Sequence, residues 1–411
     1  MPRPHVAIAV TSHATAVSFL PGLAGHLAAA GWRVTVLCAP GPGLAALTGA
    51  GVQVREVPMA RDPAPGDLRS LHLLFRAFRE LRPDVVLAAT PKAGLLATLA
   101  ARTCRVPVVV HLAWGLRSET LTGPSRLLVR GLETLSARAA HRVLANSGSL
   151  GRELVRLRMI AAGRLDVLGA GSSHGVDVER FTPGPPGDPE LDDALAALGG
   201  GPVVGFVGRI TPDKGVPELV DAMRLLRVRG VTARLLLAGP AEDPGTAERV
   251  RRARDDEGLP ILLLGGRADP LPIYRVLDVH CLPTWREGFP NVCLEAAGCG
   301  LPTVTTDATG AVDSVVPGRT GLVVPVGDAC ALAAALERLL TAPVERSRLG
   351  RAARERAVAE FAAPLVHRAH EGYLRALLRA ANTPRDGDES SVVPPVALDR
   401  VPGPSQRREA S

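Results

Sequence analysis

Short apolar runs alternate with helix-length amphipathic segments from one end of this chain to the other, which confines the fold to parallel sheet covered by helices. In the first half the runs are residues 5–10, 33–37, 52–57, 84–88, 107–111, 142–145 and 165–168. In the second half they are 203–207, 234–238, 261–264, 279–282, 302–305 and 321–324. A chain of 411 residues exceeds one ordinary hydrophobic core, so two domains facing a cleft are expected. The proline–glycine cluster that starts at Thr182 admits neither helix nor central strand. It divides the chain into a first domain (1–181), a linker (182–200) and a second domain (201–360). A C-terminal helix (361–381) and a polar, proline-rich tail (382–411), expected to stay unfolded, complete the chain.

No run approaches the roughly 20 apolar residues of a spanning helix, and the short run 6–10 reads as a buried strand rather than a leader. A water-soluble cytoplasmic protein is expected. The six cysteines are scattered, with no Cys-x-x-Cys pair and no histidine at metal spacing, and read as reduced core residues. Asp386 and Asp388 imitate a metal-chelating carboxylate pair, but they stand in the tail without a scaffold. No metal is expected.

A net charge of +7 favours an anionic partner, whether nucleotide, nucleic acid or membrane surface. Nucleic acid is disfavoured because aromatics are only 3% and no basic-aromatic motif occurs. Lys92 and Lys214 are the only lysines of the chain. Lysine differs from arginine as a compact point charge that fits where a planar fork does not.

Two segments of the second half carry the chemistry. Gly208-Arg209-Ile-Thr-Pro-Asp-Lys214-Gly215 follows the first strand of the second domain, where open α/β sheets bind ligands. Its two cations suit a diphosphate and the charge that develops as one departs. Thr284-Trp-Arg-Glu287-Gly288-Phe289-Pro290-Asn291-Val-Cys-Leu294-Glu295 leads from a strand through a glycine-containing loop into a helix expected to start near Asn291. Phosphate suits such a helix N-terminus, and the carboxylates of Glu287 and Glu295 suit vicinal hydroxyls on different parts of one extended ligand.

These segments resemble the retaining family 4 glycosyltransferases of GT-B fold, whose Glu-x7-Glu signature is matched by Glu287 and Glu295. The resemblance covers about residues 5–380. It implies an α/β chain of two Rossmann-like, doubly wound parallel-sheet domains. It also implies a UDP-sugar held without cofactor or metal: Arg209 and Lys214 on the diphosphate, Glu295 on the ribose, and Glu287 on the transferred sugar as a catalytic residue. Gly208, Gly288, Phe289, Pro290, Asn291 and Leu294 would surround sugar and phosphate, and Arg267 would border the base.

In the first domain, Thr90-Pro-Lys92 and His111-Leu-Ala-Trp114-Gly-Leu-Arg117-Ser-Glu119 each follow a strand. With the segment from Gly169 to Phe181, they make the chain most similar to enzymes that extend capsular, O-antigen or other lipid-linked saccharides. The resemblance then implies transfer of an N-acetylhexosamine or hexose to a glycan or polyprenyl-phosphate-linked acceptor. Lys92, Arg117, Glu119 and His13 would lie on the acceptor side, with His111 near the reacting sugar. The chain departs from the family where Thr11-Ser-His13 replaces a glycine-rich loop and where Trp114 stands at a position expected to be basic or histidine. A nucleotide-sugar epimerase of the same fold and a non-catalytic accessory subunit are the rival readings.

Leu68, Leu71, Leu74, Phe75, Phe78 and Leu81 fall at helical spacing, with Arg69, His72, Arg76 and Arg79 on other faces. A core-packed helix with a solvated basic face is expected there. The alternative is contact of that basic face, with Arg126 and Arg130, with anionic membrane lipid.

Overall fold

The computed structural model describes residues 3–60 and 64–383. The chain forms two compact units, one running up to His174 and resuming at Pro364, the other spanning Gly175–Ala363. The first unit holds seven parallel strands: β1 (His5–Ala9), β2 (Arg33–Cys38), β3 (Gln53–Glu56), β4 (Val85–Ala89), β5 (Val108–Ala113), β6 (Arg142–Ala145) and β7 (Leu165–Asp166). Their order is β3-β2-β1-β4-β5-β6-β7. The second unit holds six: β8 (Val203–Val207), β9 (Arg234–Ala238), β10 (Ile261–Leu264), β11 (Val279–Leu282), β12 (Thr303–Thr306) and β13 (Gly321–Val324), in the order β10-β9-β8-β11-β12-β13. Every apolar run named above lies on one of these strands. The reason is burial on both faces: β1 and β4 are covered along their whole length, so no polar alternation interrupts them.

In both sheets the strand order reverses at one pair, β1 beside β4 and β8 beside β11. Loops leaving the carboxyl ends of such a pair diverge and open a crevice. Thr11 and Thr90 span the first reversal through a 2.7 Å hydroxyl–hydroxyl hydrogen bond.

Two expectations about domain organisation need correction. The change of unit falls at Gly175, ahead of the proline–glycine cluster. Part of the expected linker is helix, Pro189–Ala196, because Asp188 accepts from the Leu191 N–H as an N-cap, Pro189 fits the first turn, and Leu191 and Leu195 are buried. The last helix, Ala363–Asn382, returns to the first unit, where Tyr373 donates a 2.7 Å hydrogen bond to Asp166. Asp166 also takes a bidentate pair from the buried Arg142 at 2.7 and 2.5 Å. The tail, with Asp386 and Asp388, lies outside the described residues.

All six cysteines are free; Cys330 is exposed and thus departs from the expected core placement. Among the described residues no helix is long and apolar enough to cross a membrane. The helix Asp67–Leu81 buries Leu74 and Phe78 of its expected face together with Ala77, while Leu71, Phe75 and Leu81 are half-buried and Leu68, in the first turn, is exposed against expectation.

Candidate active site

The candidate site of the second unit is built from the loops that leave β8 and β11, the reversal pair. Gly215 sits where these loops touch. Its φ is +72°, and a β-carbon there would lie 1.8 Å from the Pro283 carbonyl oxygen, so only glycine lets the loops approach. Gly310 does the same from the other side: at φ +77° it packs against the carbonyls of Glu287 and Gly288, while the Glu287 N–H donates to Thr309 at 2.8 Å.

Asp213 ties the two loops together. Its carbonyl accepts the Trp285 N–H at 3.0 Å and the Thr284 hydroxyl at 3.1 Å. Its carboxylate accepts the Thr211 hydroxyl at 2.6 Å and lies 3.5 Å from both Arg209 and Arg286. Burial alone would raise the Asp213 pKa. The Thr211 hydrogen bond and the charges of Arg209, Arg286 and Lys214 outweigh it and hold the group below the usual carboxylate range.

Lys214 donates from Nζ to Glu287 Oε1, and both side chains are largely buried. Arg209 reaches Glu242 at 3.0 Å as well as Asp213, so each cation expected to meet a diphosphate already faces a carboxylate. Gly208, at the end of β8, donates its N–H to the Ala238 carbonyl. The helix Asn291–Gly298 begins at the expected residue and has no side-chain cap; the Asn291 amide donates to the Gly175 carbonyl at 3.3 Å. Gly288, Phe289 and Pro290 are buried ahead of it, Phe289 packing on Phe361 with centroids 5.2 Å apart.

Glu295, one turn into that helix, accepts a 2.7 Å hydrogen bond at Oε2 from the fully buried Tyr274 hydroxyl. Burial raises the Glu295 pKa, while the Tyr274 hydrogen bond and the Arg180 charge pull it down. Leu294 is buried in the interior, and Arg267 is exposed in the loop after β10. The structure thus brings Arg209, Lys214 and Glu287 together around Asp213 and anchors Glu295 separately. Asp213, Arg286, Glu242, Tyr274 and Gly310 join the site beyond the residues expected from the sequence. Asp213 and Arg286 adjoin named residues, so adjacency was a usable signal; Tyr274 and Gly310 come from distant segments and offered none.

In the first unit the candidates are dispersed. His111, on β5, lies against Gly94, where a β-carbon would approach its ring to 2.7 Å. Burial lowers its pKa to about 4, with the Ala88 carbonyl pulling the other way, so the imidazole is neutral at pH 7. Lys92 forms a 2.7 Å ion pair with Asp67 at the start of the helix Asp67–Leu81, which ties its ammonium into the scaffold. Arg117 and Glu119 share a 3₁₀ turn, held by the buried Glu133, which accepts the Arg117 N–H at 2.7 Å and the Ser118 hydroxyl at 2.6 Å. His13 opens the helix His13–Phe19 and packs against Gly41.

Comparison with known proteins agrees with this architecture. Residues 201–342 match the family model "Glycosyl transferases group 1", and residues 16–171 match "Glycosyl transferase 4-like domain". The capsular polysaccharide biosynthesis glycosyltransferase CapM of Staphylococcus aureus is 32% identical over 75% of this chain and 81% of its own. A GDP-mannose-dependent alpha-mannosyltransferase of Mycobacterium tuberculosis is 31% identical over 76% of this chain and 83% of its own. HepE of Anabaena, solved in complex with UDP-glucose, superposes with a TM-score of 0.76 over 90% of this chain and 99% of its own, at 21% identity.

Proposed function

Because the chain belongs to the glycosyl transferase group 1 family and has the GT-B fold of two Rossmann-like units, we propose that it moves an N-acetylhexosamine or hexose from a UDP-sugar to a polyprenyl-phosphate-linked saccharide or other glycan, with retention at the anomeric carbon. The observation that carries this reading is the Lys214–Glu287 pair seated between Asp213, Arg209 and Arg286. It sets cations for a diphosphate beside a carboxylate for sugar hydroxyls, where the sugar–phosphate bond would lie.

In this reading the bond from the anomeric carbon to the diphosphate oxygen breaks, and a new bond to an acceptor oxygen forms on the same face. The acceptor proton passes to the departing phosphate oxygen. Arg209, Lys214 and Arg286 neutralise the negative charge gathering on the leaving group, the part of the barrier that preorganised cations lower most. They and the N-terminus of the helix Asn291–Gly298 stand in for a divalent metal, so no cofactor is required. Glu295 holds the ribose hydroxyls, and Arg267 borders the base.

A UDP donor is supported by the HepE complex, and a capsular saccharide acceptor by the likeness to CapM. The mannosyltransferase relative makes GDP-mannose the donor to test against it. The experiment incubates the protein with UDP-N-acetylhexosamines, UDP-hexoses and GDP-mannose, with and without polyprenyl-linked saccharides and in chelator. Released nucleoside diphosphate and the anomeric configuration of the product are then read. Chelator-resistant, acceptor-dependent release from a UDP-sugar with retained configuration is expected. Interconversion of UDP-sugars without acceptor would identify an epimerase, and preference for GDP-mannose would overturn the donor.

A further inference from the structure

The helix Gly123–Ala139 is apolar on the side it turns away from the protein. It buries Glu133, Ser136 and Ala137. At 100° per residue, Pro124, Leu127, Leu128, Gly131 and Leu135 fall on the opposite side, with Arg138 the one charged residue among them. Leu127, Leu128 and Leu135 are 72, 62 and 47% exposed. A surface helix ordinarily carries charge at such positions, so this stripe faces something other than water alone.

The surroundings of the stripe say what. Residues 117–158 contain eight arginines and three acids; Arg142 is buried on Asp166, which leaves seven arginines for the surface. Of those acids, Glu133 is buried on the Arg117 N–H and the Ser118 hydroxyl. Glu153 is taken by a bidentate pair from Arg156 at 2.6 Å. Glu119 lies near Arg156 as well. Arg126 is exposed on the flank of the helix nearer Glu133, and Arg138 stands at the C-terminal end of the stripe, donating to the Arg158 carbonyl at 2.8 Å. Guanidinium groups fixed at one corner keep further donors for other acceptors. A second copy of this chain would set one basic rim against another with few acids to meet it. Anionic headgroups complement the rim, and their acyl chains complement the leucines.

We propose that the helix Gly123–Ala139 docks this protein on an anionic lipid surface, its leucines entering the acyl boundary and its arginines meeting headgroup phosphates. Of the lipid contact considered from the sequence, the part carried by Arg126 and Arg130 is kept, and the basic face of the helix Asp67–Leu81, whose Arg76 lies 3.8 Å from Glu80, is not needed for it. The proposal does not depend on the donor or the acceptor.

The test is flotation of the full chain with vesicles of phosphatidylcholine alone or mixed equally with phosphatidylglycerol. Recovery with the mixed vesicles is expected to exceed that with phosphatidylcholine alone by about tenfold. The double variant Leu127→Gln/Leu128→Gln should lose that recovery, while Leu68→Gln, on the other helix, should keep it. Equal recovery on both vesicles, or undiminished recovery of the double variant, would overturn the proposal. So would sedimentation showing that wild type self-associates without lipid and the double variant does not, which would make the stripe a protein interface. Circular dichroism of each variant checks that the fold is intact. Flotation reads no turnover, so failure of the transferase reading leaves its outcome unaffected.

Discussion

The Tyr274 hydroxyl donates a 2.7 Å hydrogen bond to Glu295 Oε2, linking a fully buried aromatic just ahead of β11 to a carboxylate on the helix Asn291–Gly298. The bond orients Glu295 and favours its ionised form against the burial that raises its pKa. Tyr274→Phe removes both effects. The Glu295 pKa should rise further, so the acid limb of the kcat/KM profile should move to higher pH. Donor KM should increase by about tenfold to a hundredfold, the worth of one hydrogen bond to a charged group. A variant that only loosened packing would lower stability without moving the acid limb.

Gly215 permits the contact between the β8 and β11 loops on which the site depends. In Gly215→Ala the new methyl meets the Pro283 carbonyl and the backbone is held at φ +72°. Destabilisation of about 2–4 kcal/mol is expected, with a larger loss of donor binding as Lys214 moves away from Glu287. Thermal unfolding and calorimetric titration with UDP check it. A melting temperature and a UDP affinity equal to wild type would show that the loops do not need this approach.

The parallel sheets were legible in the sequence because burial on both faces leaves continuous apolar runs. Likewise, the Arg209–Lys214 and Glu287–Glu295 segments were legible because each sits between a strand and a helix. What escaped is set by contacts that no spacing records. Tyr274 reaches Glu295 from a separate helix, Gly310 meets the Glu287 loop from beyond β12, and Glu242 meets Arg209 from beyond β9. The helix Pro189–Ala196 carried its own signals in Asp188 and Pro189, but the adjoining proline–glycine cluster masked them. In the first unit, a motif reading cannot tell that Lys92 is taken up by Asp67, since that pair forms between two helices.

Acid sensitivity follows from the buried imidazoles. Burial lowers the pKa of His174 and of His367 to about 4, helped in each by neighbouring histidines; His26 beside them is paired with Glu371 at 3.0 Å. The unfolded chain takes up these protons near pH 6.5 and the folded one only near 4. Stability is therefore full above about pH 6.5 and declines as pH falls through that window, by up to about 1.4 kcal/mol per pH unit for each group. His367→Asn should flatten the dependence, so that its stability difference from wild type shrinks as pH drops from 7 to 5. Urea unfolding at several pH values measures this, and parallel wild-type and variant curves would contradict it.

The pair of Lys214 and Glu287 is the centre of the account, and acceptor-dependent release of nucleoside diphosphate from a UDP-sugar tests it most directly. Wild type should turn over. Lys214→Ala and Glu287→Gln, each with unchanged circular dichroism, should fall by about a hundredfold or more, as when preorganised transition-state contacts are removed. Near wild-type rates in either folded variant would contradict the assignment of this pair to the reacting centre.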